Sequence, residues 1–327
     1  MRSMKPNKDV RVQKLRIPTE HGSIPALLLS PLTAPVNAPG VLWLHGGGYI
    51  VGMKEIVHMS RAVELVKTYG AVVLSPGYRL ALQAPFPAAM EDCYAALLYL
   101  KKNAGALGVR SDQIMVGGES AGGGLCAAVC IRARDTGEVN VAFQMPLYPM
   151  LDDRDTESSR DNHGRIWNTR RNHLGWRLYL RGTDRTRLSP YAAPARLADF
   201  DRLPPAYTFV GDGEPFYTET LRYFERLRSA GIPADWDIYH TDMHAFDLMQ
   251  PDSALSVAAA EAFNRHFGYA KEHFFAPQQK EKEAAKPKQQ EEHQWFVKSP
   301  KTKPFWPRKR SQPRQTISAL RRICWKH

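Results

Sequence analysis

Two hydrophobic periods alternate along most of the chain. Short apolar runs that end at turn residues recur at IPALLLSP (24–31), VLWLH (41–45), AVVLSP (71–76), IMVGG (114–118), FQMPLYP (143–149) and AYTFVGD (206–212). Runs of this length, apolar on both faces, are the pattern of strands buried in a parallel sheet. Longer stretches with helical spacing lie between them. RAVELVKTYG (61–70) ends on a glycine, a helix-stop signal. MEDCYAALLYLKKNAGALG (90–108) has a basic last turn and glycines at its end. TETLRYFERLRSAGIP (218–233) puts Leu221, Phe224 and Leu227 on one face and stops at Ala-Gly, and a closing helix is expected at about 254–267, ending at Phe267-Gly268. Alternating strands and helices predict an α/β fold, with a mostly parallel central sheet covered by helices on both faces.

Two stretches break the rhythm. LDDRDTESSRDNHGRIWNTRRNHLGWRLYLRGTDRTRL opens a polar segment, 151–202, rich in Arg and Asn, with Trp167, Trp176 and Tyr179 set into it. It reads as an insertion over the sheet, and a long loop carrying aromatics in a compact domain is expected to act as a lid. Beyond residue 270, KEHFFAPQQKEKEAAKPKQQEEHQ is low-complexity and charged, and SPKTKPFWPRKRSQPRQ is basic and Pro-rich. Such composition buries too little apolar surface to offset chain entropy. The expected organisation is a folded body over 1–270 and a disordered extension over 271–327.

Charge sharpens that division. The chain of 327 residues carries a formal net charge of +12. Residues 1–270 hold 30 Lys+Arg and 28 Asp+Glu, whereas 271–327 hold 15 and 5, so the basic character belongs to the extension. Trp295, Phe305, Trp306 and Trp325 are interleaved with its basic residues, a pattern that nucleic acid or an anionic surface could engage. The simpler expectation is a solvated tail. MRSMKPNKDVRVQKLR is charged and no apolar run follows it, and no stretch approaches the roughly 20 apolar residues of a membrane span. Cys93, Cys126, Cys130 and Cys324 form no CxxC pair; Cys126 and Cys130 read as buried thiols on one helix face, and a reducing, cytoplasmic setting is expected.

The chemistry concentrates at GGESAGGGLCAAVC (117–130). A dinucleotide fingerprint fits this stretch poorly, and a P-loop would need a lysine that is absent. Gly118-Glu119-Ser120-Ala121-Gly122 does match GxSxG, the nucleophile elbow, in which small residues flank a serine held on a strained strand-to-helix turn. Upstream, LHGGGYI (44–50) follows an expected strand and leaves backbone N–H groups free to face a cavity. Acyl transfer passes through an oxyanion, and preorganised donors there are worth about 3 kcal/mol each. A serine nucleophile also needs a base, and the base an orienting acid, in the chain order Ser, Asp/Glu, His. VGDGEPF (210–216) offers Asp212 and Glu214, and YHTDMHAF (239–246) offers His240 and His244. HTDMH lacks the Glu of HExxH, so a metal pair on a helix is a poor match.

HGGG (45–48), YRL followed by PFPAAMEDCYAAL (78–97), GESAGG (118–123), LPPAYTFVGDGEPF (203–216) and MHAF (243–246) together resemble the hormone-sensitive-lipase-like branch of the α/β-hydrolases, over roughly residues 20–268. That branch consists largely of carboxylesterases. The resemblance implies that Ser120 is the nucleophile and that His244, in H-x-F after the last strand, is the base. EPFYTE (214–219) fills the slot where members carry DPLRDE, which implies Glu214 as the acid, with Asp212 as its rival. The implied oxyanion donors are the N–H groups of Gly47, Gly48 and Ala121, with Gly46 shaping the loop. The chain departs from the pattern at Glu119, where Asp is frequent, at Gly77, and at LALQA (80–84) in place of LAPEH.

The function expected is therefore hydrolysis of short- to medium-chain carboxylic esters through an acyl-enzyme. A small-molecule ester is the partner, and neither cofactor nor metal is needed. A homodimer through the strand-like ADWDIY (234–239) is consistent with the branch. The same triad could serve an amidase or peptidase, and a ligand-binding receptor on this scaffold is the reading from another class.

Overall fold

A computed structural model describes residues 4–279. Eight strands form one sheet: β1 (Val10–Thr19), β2 (Gly22–Pro31), β3 (Ala38–Leu44), β4 (Val72–Pro76), β5 (Val109–Glu119), β6 (Phe143–Leu147), β7 (Ala206–Gly211) and β8 (Ala234–Tyr239). Their spatial order is β1-β2-β4-β3-β5-β6-β7-β8. β1 pairs antiparallel with β2, and β2 with β4; every other pairing is parallel.

The helices are α1 (Ala62–Tyr69), α2 (Ala88–Lys102), α3 (Ala121–Thr136), α4 (Thr169–Tyr179), α5 (Tyr217–Ser229), α6 (Phe246–Met249) and α7 (Ala254–His273). Alternation along the central strands explains why they lie on both faces. In β3, Leu42 and Leu44 join a core shared with α2 and α3. Val41 and Trp43 join the opposite core, shared with α1 and α7. A strand buried on both faces has no polar face to spare, hence the continuous apolar runs in the sequence. Cys93, Cys126 and Cys130 are free and buried in the α2–α3 core, as expected of packing thiols.

The outer elements depart from the sequence reading. β1 was not among the expected strands. VRVQKLRIPT lies at the sheet edge with a mixed burial pattern, so it lacks the continuous apolar run that marks the inner strands. Within the polar segment, α4 forms with Asn168 as its cap, the side chain accepting the N–H of Arg171. The long helix expected over 90–108 ends at Lys102, and turns carry the chain to Gly108.

α7 does not stop at Gly268. The missing side chain there admits the ring of Tyr69, since a Cβ would lie 3.1 Å from its hydroxyl. This glycine serves close packing inside a helix that runs on to His273. Residues 274–279 then lie against the body, with Phe274 beside Phe143 and the Gln278 side chain bonded to both the N–H and the carbonyl of Asn140. Folded structure thus continues past the expected boundary at 270. Most of the basic stretch, with Cys324 and the aromatics from Trp295 onward, lies outside the described residues. Among the described residues no helix is long and apolar enough to cross a membrane.

Candidate active site

Three loops, at the carboxyl ends of β3, β7 and β8, converge on Ser120 at the end of β5. At the end of β5, Ser120 takes φ 56° and ψ −120°, and α3 begins at the next residue. A non-glycine residue pays about 1–3 kcal/mol for such a backbone, so the surroundings must hold it. The Ser120 N–H donates to Leu147 O at 3.0 Å, and its carbonyl accepts from Gly124 and Met150, each at 3.0 Å. Gly118 has no room for a side chain, because a Cβ there would lie 2.5 Å from Gly122 O and 2.6 Å from Leu44 O. Gly122 is equally confined by Leu44 and His45. The glycines of GxSxG therefore serve close approach of three backbones.

His244 comes from the loop after β8, and its Nε2 lies 2.8 Å from Ser120 Oγ. Its Nδ1 contacts Glu214 Oε2, from the loop after β7. Glu214 and His244 are both buried. The second oxygen of Glu214 accepts the N–H of Gly211 at 2.9 Å, which fixes the carboxylate in place. With Nδ1–H donated to Glu214, Nε2 carries the lone pair that can receive the serine proton. Tyr148 and Phe216 meet the imidazole edge-on, at 5.2 Å and 5.0 Å between centroids.

The rival residues lie elsewhere. Asp212 Oδ2 is 2.9 Å from Nδ1 of His240, whose side chain is 98% exposed. Each shifts the other: hydrogen bonding to His240 lowers the Asp212 pKa, and the same bond raises that of His240. Neither touches Ser120 or His244 in the hydrogen bonds of the site.

The loop after β3 is the third of these loops. The N–H groups of Ile50 and Val51 turn back to Gly47 O, at 3.1 Å and 3.0 Å. Gly47, at φ 124°, and Gly48, at φ 59°, occupy backbone regions that favour glycine. Gly47, Gly48 and Ala121 donate none of the hydrogen bonds that fold these turns. Gly46 rests on the nucleophile turn, where a Cβ would be 3.0 Å from Glu119 O and 3.2 Å from Ser120 Cβ. His45 is buried; its Nδ1–H donates to Gly46 O at 2.8 Å, and its ring stacks 4.2 Å from that of Tyr78. Burial lowers its pKa to about 4, so the ring stays neutral while it braces the loop.

Sequence reasoning missed the groups beneath the histidine. Tyr148 donates to Asp247 Oδ1 at 2.8 Å, and Arg61 Nε donates to Asp247 Oδ2 at 3.0 Å, both ion-pair partners fully buried. Asp247 stands three residues after His244, so the pair anchors the histidine loop to the residue preceding α1. The available signals were an arginine opening an apolar helix and an aspartate closing MHAFD. Glu119 is buried beside the nucleophile. Trp43 Nε1 donates to its Oε1 at 2.9 Å, its other oxygen has no partner, and burial pushes its pKa up to about 8. Among the described residues no group of three or more His, Cys, Asp or Glu could hold a metal ion.

Such an elbow, facing a glycine-rich loop at the carboxyl edge of a largely parallel sheet, defines a hydrolase of the α/β class. Residues 41–248 match the family described as alpha/beta hydrolase fold, and the chain belongs to it. Among curated relatives, Esterase LipI of Mycobacterium tuberculosis is 33% identical, over 79% of this chain and 80% of that protein. An arylesterase of Saccharolobus solfataricus is 29% identical, over 71% and 76%. Among solved structures, a bacterial heroin esterase superposes with a TM-score of 0.76 at 32% identity, covering 81% of this chain and 84% of that one. A hyperthermophilic esterase of Pyrobaculum calidifontis gives 0.74 at 33%, covering 82% and 87%.

Proposed function

We propose that the protein is a serine carboxylesterase that hydrolyses short- to medium-chain carboxylic esters. One observation carries the reading: a continuous Ser120–His244–Glu214 chain of contacts beside a loop of undonated glycine N–H groups. Ser120 Oγ bonds to the ester carbonyl carbon while its proton passes to His244 Nε2. The carbonyl oxygen becomes an oxyanion on the N–H groups of Gly47, Gly48 and Ala121. The carbon–oxygen bond to the alcohol then breaks, and His244 returns the proton to the departing alkoxide. Water, giving a proton to the same nitrogen, attacks the acyl carbon; the bond from that carbon to Ser120 Oγ then breaks, and His244 returns the proton to Oγ as the acid leaves. Glu214 holds the imidazole tautomer and stabilises the imidazolium without itself becoming protonated.

The esterase names of the relatives support the ester over an amide as substrate, and the presence of the complete triad argues against a receptor role. Residues 151–202 serve as the lid, supported by the contact of Trp167 with Gly48. β8 offers an open sheet edge for pairing two copies, with Ile238 45% exposed. The free, buried cysteines suit a reducing cytoplasm. The test is hydrolysis of p-nitrophenyl acetate and butyrate, with the matching anilides alongside. Wild type is expected to cleave the esters and Ser120→Ala to lose about 10⁴-fold or more. Equal ester rates for the two proteins, or faster cleavage of anilides than esters by wild type, would sink the reading.

A further inference from the structure

Gly48 carries one of the N–H groups proposed above as oxyanion donors, and its surroundings single out one side chain. A Cβ on Gly48 would fall 2.6 Å from Cζ2 and 2.9 Å from Cζ3 of Trp167, so the tip of the indole lies against this peptide. Gly175, on α4, makes the same approach from the other side. A Cβ there would be 3.0 Å from Gly48 O and 3.5 Å from Trp167 Cζ2. The indole is therefore wedged between α4 and the donor loop. It is 9% exposed, and its Nε1–H points to Oδ1 of buried Asn172 at 3.5 Å.

The stretch leading to Trp167 is fastened to the other side of the site. Ser158 Oγ donates to Pro215 O at 2.8 Å, and Asn162 Nδ2 donates to Gly213 O at 3.0 Å, which brackets Glu214. Gly164 lies where a Cβ would be 3.5 Å from Asp242 O, on the loop that carries His244. One segment thus links the acid loop and the histidine loop, and sets a large apolar ring on the donor loop between them.

We propose that Trp167 is a specificity-determining residue, its indole forming the wall that limits the size of the group attached to the scissile carbonyl. The inference rests on the esterase reading. A carbonyl oxygen bound at Gly47 and Gly48 must sit about 2.7–3.1 Å from those donors. The atoms bonded to the carbonyl carbon then lie within a few bond lengths of the loop. The volume adjoining Gly48 is already filled by the indole, so a bulky substituent meets the ring and a small one does not. Removing the ring opens an apolar space into which added methylene groups can be buried.

The experiment measures kcat/KM for wild type, Trp167→Phe, Trp167→Leu and Trp167→Ala on two series. One lengthens the acyl chain of p-nitrophenyl esters from acetate to octanoate. The other lengthens the alcohol of acetate esters from methyl to octyl. The readout is the long-to-short ratio within each series, which does not depend on how much total activity a variant keeps. Trp167→Ala is expected to raise that ratio about tenfold in one series, with Leu and Phe in graded order below it. The series that moves identifies whether the ring faces the acyl or the alcohol side. Should Trp167→Ala fail to fold, the Phe and Leu ratios carry the same comparison. Ratios within about twofold of wild type in both series, for variants whose Ser120 still reacts with a fluorophosphonate, overturn the proposal and leave the esterase reading standing. A wild-type chain that cleaves none of these esters overturns both.

Discussion

Two carboxylate–histidine pairs bridge the same two loops, and only one of them reaches Ser120. Asp212 with His240 and Glu214 with His244 each join the turn after β7 to the turn after β8. The first pair stands in water, where solvent screens the attraction between an exposed imidazole and a carboxylate. The second is buried, its carboxylate held again by Gly211 N–H and its imidazole aimed at Ser120. Sequence neighbours two and four residues apart are thus sorted by burial. What makes an acid–base relay is the third contact and the exclusion of solvent, rather than the pairing of residue types.

The sharpest way to break the comparison is to neutralise each acid separately. Glu214→Gln is expected to lower kcat for p-nitrophenyl butyrate by roughly 10³-fold, because the imidazole loses its orienting acceptor and its counter-charge. Asp212→Asn should stay within about twofold. The reverse order would move the acid to Asp212. The next effect concerns stability. Arg61→Met leaves the buried Asp247 carboxylate with Tyr148 but without its counter-charge, at a cost of about 3–5 kcal/mol, whereas Arg61→Met with Asp247→Leu, which removes the buried charge as well, recovers part of it. Chemical unfolding of the two variants reads the difference, and equal losses would contradict a paired role.

The smallest expected effect depends on pH. Folded Glu119 keeps its proton up to about pH 8, while the unfolded chain releases it near 4.5. Between those values the folded state binds more protons, so its contribution to stability declines as pH rises. Glu119→Gln can still accept from Trp43 and has no proton to lose. From pH 6.5 to 8 the unfolding free energy of Glu119→Gln should gain on wild type by about 1 kcal/mol per pH unit, because His45 is common to both proteins and cancels. Parallel curves across that range would show that Glu119 titrates normally.

Much of this site could be read from the chain because its chemistry is carried by contiguous motifs. HGGG and GESAG each place their glycines and serine on a single turn, and the inner strands declare themselves by unbroken apolar runs. Glu214 and His244 were readable as candidates, but their separation from Asp212 and His240 depends on which side chains turn inward, which spacing does not encode. The cluster of Arg61, Tyr148 and Asp247 escaped notice since its members are brought together only by the sheet, across up to 186 positions. β1 was missed for the opposite reason, an edge strand with one wet face looking like polar chain. Gly268 misled because glycine ends helices and also admits close neighbours, and only the ring of Tyr69 distinguishes the two.

The short strap formed by residues 274–279 has a practical meaning for anyone trimming this protein. Ala276 N–H bonds to Asp112 O, and Gln278 reaches Asn140 and Ser111, so the strap stitches the end of α7 to the start of β5 and to the loop that precedes β6. A cut at 270 would strip three residues from the helix together with every one of those stitches, baring Phe143 where Phe274 had covered it. A shortened chain that keeps those stitches must extend at least through Gln278.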